Sequence, residues 1–312
     1  MPTAVILLSD KRSGSTMLQD ELCKHSGISH VDYSPHTYFE THHWLKASVV
    51  LNRPDALYSG FKQYAGYGSH ENARTYLIDT LKGNMPDYEP PASDKELIFG
   101  GWDALCKTFA QPVFFEKSPQ ILAEWCALSL LLEWIRHTDM DVKIIGLVRN
   151  PLAVQYSAHE LFSTNAEMRQ FGWLNIQRNL LSIQSMLPPE MFRLVRYEDI
   201  IANPKQGLPD LCDFIGVGYE DEIGASVHTS SKEKWRANEN YTLQLDPSVR
   251  QIAKAFGYQD AELSNPHKPT AATIAAMQPD LKTRIKKRMI RVRDRVVRPV
   301  YLKLKASRAA RK

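Results

Sequence analysis

Residues 3–16 read TAVILLSDKRSGST, in which the apolar run Val5 to Leu8 is followed by a polar turn around Gly14. Beyond the turn, apolar side chains recur at helical spacing as far as Leu22, and Gly27 is suited to end the helix. The order of strand, glycine turn and helix directs backbone N–H groups and the positive end of the helix dipole at an anion. The stretch therefore predicts an anion-binding loop at the start of an α/β domain.

The loop departs from the nucleoside-triphosphatase pattern GxxxxGK[ST] at its most important charge. Gly14 and Thr16 fit this pattern. Ser9, however, stands in place of the first glycine, and Ser15 in place of the lysine that reaches a γ-phosphate. A positive charge is still present at Arg12, directly before the Ser-Gly pair. The pattern disfavours an ATPase or GTPase and indicates a different phosphorylated ligand.

A second basic residue, Arg149, follows the clearest buried strand, VKIIGLV at residues 142–148. Open α/β sheets bind ligands at the carboxyl ends of their strands, and a guanidinium can fork onto a phosphate. Pro151 is suited to start the following helix, and Ser157 lies about two turns along it. Arg149 and Ser157 are therefore expected to contact one anionic group.

Strands alternate with helices along most of the chain, which predicts a parallel sheet covered by helices on both faces. We expect strands at residues 5–8, 113–115, 142–148 and 192–195, and helices at 16–27, 121–137, 173–186 and 208–216, with another starting at Pro151. Residues 1–265 are predicted to form one α/β domain, and residues 266–312 a linker and a basic helical tail.

The basic character of the chain belongs to this tail. The whole sequence has a net charge of +4, whereas residues 280–312 contain 14 Lys or Arg and 2 acidic residues. Apolar residues recur every three or four positions there, which predicts a cationic amphipathic helix interrupted near Pro299. The helix either attaches to an anionic membrane surface or an acidic glycan, or packs on the domain with a solvated basic face. Nucleic acid is disfavoured because no recognised motif or aromatic platform accompanies the charge.

The four cysteines are scattered and form no CxxC pair, and the first apolar run is too short for a signal peptide. We therefore expect a cytoplasmic protein, peripheral at the membrane if the tail binds lipid. The sequence does not indicate an oligomeric state.

The sequence Arg12-Ser13-Gly14-Ser15-Thr16 and the Arg149-x7-Ser157 spacing resemble the PAPS-dependent sulfotransferase family, in its carbohydrate and bacterial branches. The resemblance implies a three-layer fold like that of P-loop NTPases, with PAPS (3′-phosphoadenylyl sulfate) as donor and PAP as product. It also implies that RYED, at residues 196–199, ends near the adenine, and that residues 231–236 form a loop over the nucleotide. The implied donor contacts are Lys11, Arg12, Ser13, Gly14, Ser15, Thr16, Arg149, Ser157, Tyr197, Lys232, Lys234 and Trp235.

The resemblance also suggests the catalytic residues. Residues 115–119, FEKSP, resemble the EKS-P segment of glycosaminoglycan-type sulfotransferases, which makes Lys117 a candidate to stabilise the transferring group. Arg12 is expected to neutralise charge on the leaving phosphate oxygen. Lys117 could instead form an ion pair with Glu116 or Glu124. Family members of the carbohydrate type place a glutamate base some twenty residues after the glycine loop. Here Glu40 is the first choice for the base, His36 the second, and His42 a further alternative.

The predicted function is the transfer of a sulfuryl group from PAPS to an acceptor hydroxyl on a carbohydrate, glycolipid or glycosylated metabolite. The layout requires no metal, and no cluster of metal ligands is evident from the spacing of histidines and carboxylates. Loops at residues 34–100 and 158–175 are expected to select the acceptor. The alternatives are a P-loop nucleotide kinase and a non-catalytic nucleotide-binding protein.

Overall fold

The centre of the protein is a parallel β-sheet of five strands in the order β2-β3-β1-β4-β5. The computed structural model describes residues 2–36, 38–51, 69–227, 233–270 and 289, and all structural statements concern these residues. The strands are β1 (Thr3–Ser9), β2 (Ile28–Ser29), β3 (Val113–Lys117), β4 (Asp141–Val148) and β5 (Phe192–Arg196). The α/β fold class predicted from the sequence is confirmed.

The strand β1 lies in the middle of the sheet and is buried along its whole length. It pairs in parallel with β3 on one side and β4 on the other. Its alternate side chains enter two separate hydrophobic clusters: Ala4, Ile6 and Leu8 on one face, Val5 and Leu7 on the other. The near-continuous apolar run thus reflects burial on both faces, as expected for a parallel strand beneath two helical layers.

Helices cover the two faces and make the crossovers between strands. They are α1 (Ser15–Leu22), α2 (His43–Val50), α3 (His70–Asn84), α4 (Asp94–Phe109), α5 (Trp125–Ile135), α6 (Pro151–Phe162), α7 (Ala166–Met186), α8 (Tyr197–Ala202), α9 (Pro204–Ile215), α10 (Lys234–Ala237) and α11 (Pro247–Ala255). As predicted, Pro151 occupies the first turn of a helix, and the side chain of Asn150 caps that turn by accepting from the N–H of Leu152.

The parallel strands bring their carboxyl ends to one edge of the sheet. In the register, Leu7 lies beside Lys117, Ser9 beside Leu147, and Val148 beside Arg196. The segments that follow β1, β3, β4 and β5 therefore start next to one another. Four distant parts of the sequence meet at this edge.

Several local predictions differ from the structure. The helix expected at 16–27 ends at Leu22 with Cys23 as its C-cap, so Gly27 does not end it. The helix expected at 121–137 is divided, because Pro119–Ala123 forms a 3-10 turn and Glu124 is extended before α5 begins. The helix α7 starts at Ala166 rather than near residue 173, since the Asn165 side chain accepts from the N–H of Met168 and caps it there. The short strand β2 was not predicted, because two residues carry no readable periodicity.

The predicted basic tail lies outside the described residues apart from Met289, so it and the division near residue 265 stay predictions. Cys23, Cys106, Cys126 and Cys212 are all free thiols. Among the described residues, no helix is both long and apolar enough to span a membrane.

Candidate active site

The segment from residue 10 to residue 16, here called the anion loop, makes a tight turn that only glycine fits at position 14. Gly14 has a φ of 93°, in the left-handed region. A Cβ atom at this position would lie 2.4 Å from the ring of Tyr197. Arg12 is also left-handed, with a φ of 73°. Two left-handed residues within one turn bend the chain sharply between β1 and α1.

The anion loop leaves hydrogen-bond donors for a ligand. Gly14 is the N-cap of α1 and has no side chain with which to cap the first turn of this helix. The Ser13 hydroxyl is fully buried, and within the described part of the chain it has no hydrogen-bond partner. Uncapped N–H groups, an unsatisfied hydroxyl and the positive end of a helix dipole together fit a phosphate group.

The two basic motifs meet at the anion loop. The Nη1 of Arg149 donates to the backbone carbonyl of Arg12 at 3.0 Å. The Nε of Arg12 in turn donates to the Oγ of Ser157 at 3.1 Å. The guanidinium of Arg149 also lies 4.4 Å from the centre of the Tyr197 ring, which packs against Gly14. The predicted residues Arg12, Gly14, Arg149, Ser157 and Tyr197 thus form one contiguous group.

A buried ion pair that was not predicted holds the start of the anion loop. Asp10 is 2% exposed, and both of its carboxylate oxygens accept from the Nη2 of Arg169 at 3.1 Å. The same nitrogen donates to the carbonyl of Lys11, and Nη1 donates to Gln155. Arg169 therefore ties the loop to α6 and α7. Its place in the long polar helix α7 gave no sign of this contact.

Lys117 connects the anion loop to the candidate base. Its side chain is fully buried at the end of β3, where Nζ donates to Glu40 Oε1 at 2.9 Å and to Thr16 Oγ1 at 3.3 Å. The ion pair is thus with Glu40, rather than with Glu116 or Glu124. The structure brings Lys117, Glu40 and the first turn of α1 together, as the proposed roles require.

The other carboxylate oxygen of Glu40 contacts two histidines. Its Oε2 lies 3.1 Å from His42 Nε2 and 3.4 Å from His36 Nδ1. We refer to His36, Glu40 and His42 as the Glu40 cluster. Burial opposes the charge of Glu40, but the hydrogen bond with His42 and the ammonium of Lys117 outweigh it and lower the pKa to about 2. Burial also lowers the pKa of His42, against the attraction of Glu40.

The backbone around Glu40 is fixed from several sides. The Ser34 hydroxyl donates to the Glu40 carbonyl at 2.6 Å, and the Ser118 hydroxyl accepts from the N–H of His42 at 3.1 Å. Phe39 and His42 have left-handed φ values of 55° and 51°. Such conformations are costly for residues with a Cβ and persist only where their surroundings hold them, commonly at functional sites.

A second buried carboxyl group, that of Glu116, supports the segment around Glu40. Glu116 is 1% exposed and accepts hydrogen bonds from the hydroxyls of Thr41 and Ser118. Burial raises its pKa to about 7, although the two hydroxyls and Lys117 act in the opposite direction. Glu116 thus links β3 to Thr41 and Ser118, whose hydroxyls accept from the N–H groups of His43 and His42 just after Glu40.

The remaining predicted contacts belong to the late loop. Lys232 lies outside the described residues. Lys234 is exposed at the start of α10, while Trp235 is 2% exposed in the larger hydrophobic cluster, with the Arg236 guanidinium 4.7 Å from its ring. Donor contacts by Lys232, Lys234 and Trp235 stay predictions.

The fold and the site define a protein with a P-loop-like α/β sheet that carries, at the carboxyl edge of its strands, a tight glycine loop and a group of contacting Lys, Glu and His side chains. Comparison with known families identifies it more closely. The chain belongs to the sulfotransferase family, whose model matches residues 4–221.

Two solved sulfotransferase domains share the fold. The sulfotransferase domain of the Synechococcus PCC 7002 olefin synthase is 24% identical and has a TM-score of 0.54, with 83% of this chain and 96% of that domain covered. The sulfotransferase domain from the curacin biosynthetic pathway is 22% identical and has a TM-score of 0.55, with 83% and 99% covered. No curated protein matches the sequence.

Proposed function

We propose that the protein transfers the sulfuryl group of PAPS to an acceptor hydroxyl and releases PAP. The observation that carries this proposal is the meeting of two phosphate motifs. Arg149 donates to the Arg12 backbone, and the Arg12 side chain donates to Ser157, across sequence separations of 137 and 145 residues. A donor with separate 5′ and 3′ phosphates matches two adjacent groups of phosphate-binding residues better than a nucleoside triphosphate does.

The residues of the anion loop hold the 5′ side of the donor in this proposal. The N–H groups of α1 and the side chains of Lys11, Arg12, Ser13, Ser15 and Thr16 surround the 5′-phosphosulfate, and Arg149 with Ser157 holds the 3′-phosphate. Tyr197 supports both groups, because its ring contacts Gly14 and lies beside Arg149. When bound, PAPS supplies the activated sulfuryl group.

Lys117 and the Glu40 cluster perform the acid–base and electrostatic part of the reaction. The Lys117 ammonium neutralises charge on the transferring group, a contribution that a dry site strengthens. The Glu40 cluster takes the proton of the acceptor hydroxyl. A carboxylate with a pKa near 2 is a weak base, so the low pKa favours an imidazole as the final proton acceptor, with Glu40 orienting it.

Ligand-induced shifts in melting temperature test the donor. We expect PAP to raise the melting temperature much more than ATP with Mg²⁺ does. The site offers contacts to two separate phosphate groups, and Ser15 stands where a P-loop has its lysine. Stabilisation by ATP with Mg²⁺ alone would overturn the proposal in favour of a nucleotide kinase. Stabilisation by PAP without any sulfuryl transfer would favour the non-catalytic alternative.

For the acceptor we propose a hydroxyl of a carbohydrate, glycolipid or glycosylated metabolite. The support is an exposed aromatic face next to the catalytic group: Tyr38 is 60% exposed, and its ring centre lies 5.8 Å from Lys117 Nζ. A sugar offers an apolar face beside its hydroxyls, which such a ring can cover. Incubation with ³⁵S-labelled PAPS and separate glycan and lipid extracts tests this. Label in sugar-containing products is expected; label in sugar-free products alone would contradict it.

We propose further that the basic tail attaches the protein peripherally to an anionic membrane surface. The support is the charge of residues 280–312, with 14 Lys or Arg against 2 acidic residues. The full chain should co-sediment with vesicles that contain phosphatidylserine, and a chain that ends at residue 279 should not. Equal sedimentation of the two chains would contradict this.

A further inference from the structure

We propose that the Glu40 cluster binds a divalent cation of the zinc type, and that the bound cation inhibits sulfuryl transfer. The cation site rests only on the geometry of His36, Glu40 and His42. The inhibition rests on the proposed function, in which this cluster takes the proton of the acceptor.

Three potential ligand atoms converge in the Glu40 cluster. His42 Nε2 lies 3.1 Å and His36 Nδ1 lies 3.4 Å from the same oxygen, Glu40 Oε2, and all three atoms lie within 4.8 Å of one another. In a tetrahedral zinc site with bonds of about 2.0–2.2 Å, neighbouring ligand atoms are about 3.4 Å apart. Small side-chain rotations are therefore enough to place a cation between the three atoms.

Hydrogen bonds already hold the backbone at His36, Glu40 and His42. The Ser34 hydroxyl accepts from the N–H of His36 and donates to the carbonyl of Glu40. The Ser118 hydroxyl holds the N–H of His42. A cation therefore does not have to fix the backbone of these three ligands, which removes a cost that usually weakens binding. The His36 side chain is 26% exposed, which gives the cation an approach from solvent.

The ligand set selects the kind of cation. Two imidazoles and one carboxylate are a typical set for zinc, whereas magnesium and calcium prefer oxygen ligands. Lys117 opposes tight binding, because its ammonium lies 2.9 Å from the other oxygen of Glu40. We therefore expect reversible binding, weaker than at a structural zinc site. We propose the cation as an inhibitor of the transfer and not as its cofactor.

Inhibition follows from the identity of the ligands. A cation on Glu40 Oε2 and both imidazoles occupies every group that the proposed function assigns to the proton. The contacts of Arg149 and Ser157 with Arg12 do not involve the cluster. Zinc should therefore reduce turnover while PAP affinity stays close to its value without zinc.

Zinc binding and zinc inhibition can be measured separately on the full, tag-free chain. A competing fluorescent chelator measures the stoichiometry and affinity for Zn²⁺, and labelled PAPS measures transfer. We expect one Zn²⁺ per chain at the cluster, at least about ten-fold weaker binding in His36→Ala and in His42→Ala, and wild-type binding in His137→Ala. His137 is an exposed histidine just beyond α5 and serves as the matched control. Melting temperatures show whether each variant is folded, and the glutamine variant at the same position replaces any alanine variant that is not.

The possible outcomes test the zinc site, the inhibition and the proposed function separately. Wild-type zinc affinity in folded His36 and His42 variants would overturn the site, as would the absence of zinc binding by a chain that turns over PAPS. Zinc bound at the cluster without loss of transfer would overturn the inhibition. Zinc bound at the cluster in a chain that neither binds PAP nor transfers sulfuryl groups would leave the site standing and refute the proposed function instead.

Discussion

The anion loop and the segment around Glu40 meet at Lys117, yet the chain holds them by different means. The anion loop takes its shape from the backbone: a strand end, two left-handed residues and the start of a helix. The segment around Glu40 takes its shape from side chains: the hydroxyls of Ser34, Thr41 and Ser118 hold its backbone. Glu116 in turn accepts from the hydroxyls of Thr41 and Ser118. The anion loop leaves hydrogen-bond donors available to a ligand, whereas most polar groups of the segment around Glu40 are hydrogen-bonded within the protein. Binding and chemistry are therefore expected to respond to different substitutions.

The largest expected effect comes from Lys117, where the two regions meet. Lys117→Met keeps an apolar stem but removes the ammonium between Thr16 and Glu40. We expect the transfer rate to fall by about 10²–10³-fold, as for loss of one group that stabilises the transition state. PAP affinity should change little, since PAP lacks the sulfuryl group. Lys95→Met, at a lysine whose side chain is 74% exposed, is the control. A fully active Lys117→Met variant would contradict the role.

A smaller effect is expected when the backbone of the anion loop is changed. Gly14→Ala puts a Cβ 2.4 Å from the Tyr197 ring at a φ of 93°, so we expect a loss of about 1–3 kcal/mol in the free energy of unfolding. PAP should also bind more weakly. Gly172→Ala is the matched control, because its Cβ meets nothing within 4 Å inside α7, and it should gain about 0.5–1 kcal/mol. Urea denaturation and PAP titration of both variants measure this. Equal free energies of unfolding in Gly14→Ala and Gly172→Ala would refute the need for glycine at position 14.

The third prediction concerns Glu116, beneath the segment around Glu40. Its pKa is raised from 4.5 to about 7 in the folded protein, so the folded state keeps a proton that the unfolded state loses. The contribution of Glu116 to the unfolding free energy is therefore present below pH 4.5 and is lost as the pH rises to about 7. Glu116→Gln removes this dependence, and its stability relative to wild type should increase by about 2 kcal/mol between pH 5 and pH 8.

Urea denaturation at the two pH values measures this difference. Glu89→Gln, at an exposed glutamate, should show no such change and serves as the control. A constant difference between Glu116→Gln and wild type across the pH range would show that Glu116 titrates at the same pH in both states.

The contrast between the two regions also explains what could be predicted from sequence. The anion loop and the Arg149–Ser157 spacing are local patterns next to strong strand signals, and β1 and β4 form where the apolar runs predict them. Parallel topology then places both motifs at the same edge of the sheet. The part of the site that depends on backbone and strand order was therefore accessible from the sequence alone.

The contacts of single side chains across long separations were not accessible. Lys117 and Glu40 were each proposed, but their ion pair joins residues 77 apart and depends on how the segment before α2 packs on β3. The Asp10–Arg169 pair spans 159 residues and was missed entirely. His36 and His42 converge on one oxygen of Glu40 in a segment with a left-handed backbone at Phe39 and His42, and the spacing of these residues in the sequence does not predict that conformation.

The central claim is that Arg149 and the anion loop together hold a ligand with two separate phosphates. Calorimetric titration of PAP and of AMP, which lacks the 3′-phosphate, tests it in wild type, Arg149→Ala and the exposed control Arg136→Ala. We predict that wild type and Arg136→Ala bind PAP far more tightly than AMP. Arg149→Ala should lower the affinity for PAP by roughly 10- to 100-fold, as for loss of a charged hydrogen bond, and leave the affinity for AMP nearly unchanged. Equal affinities of wild type for PAP and AMP, or an equal loss for both ligands in Arg149→Ala, would contradict the account.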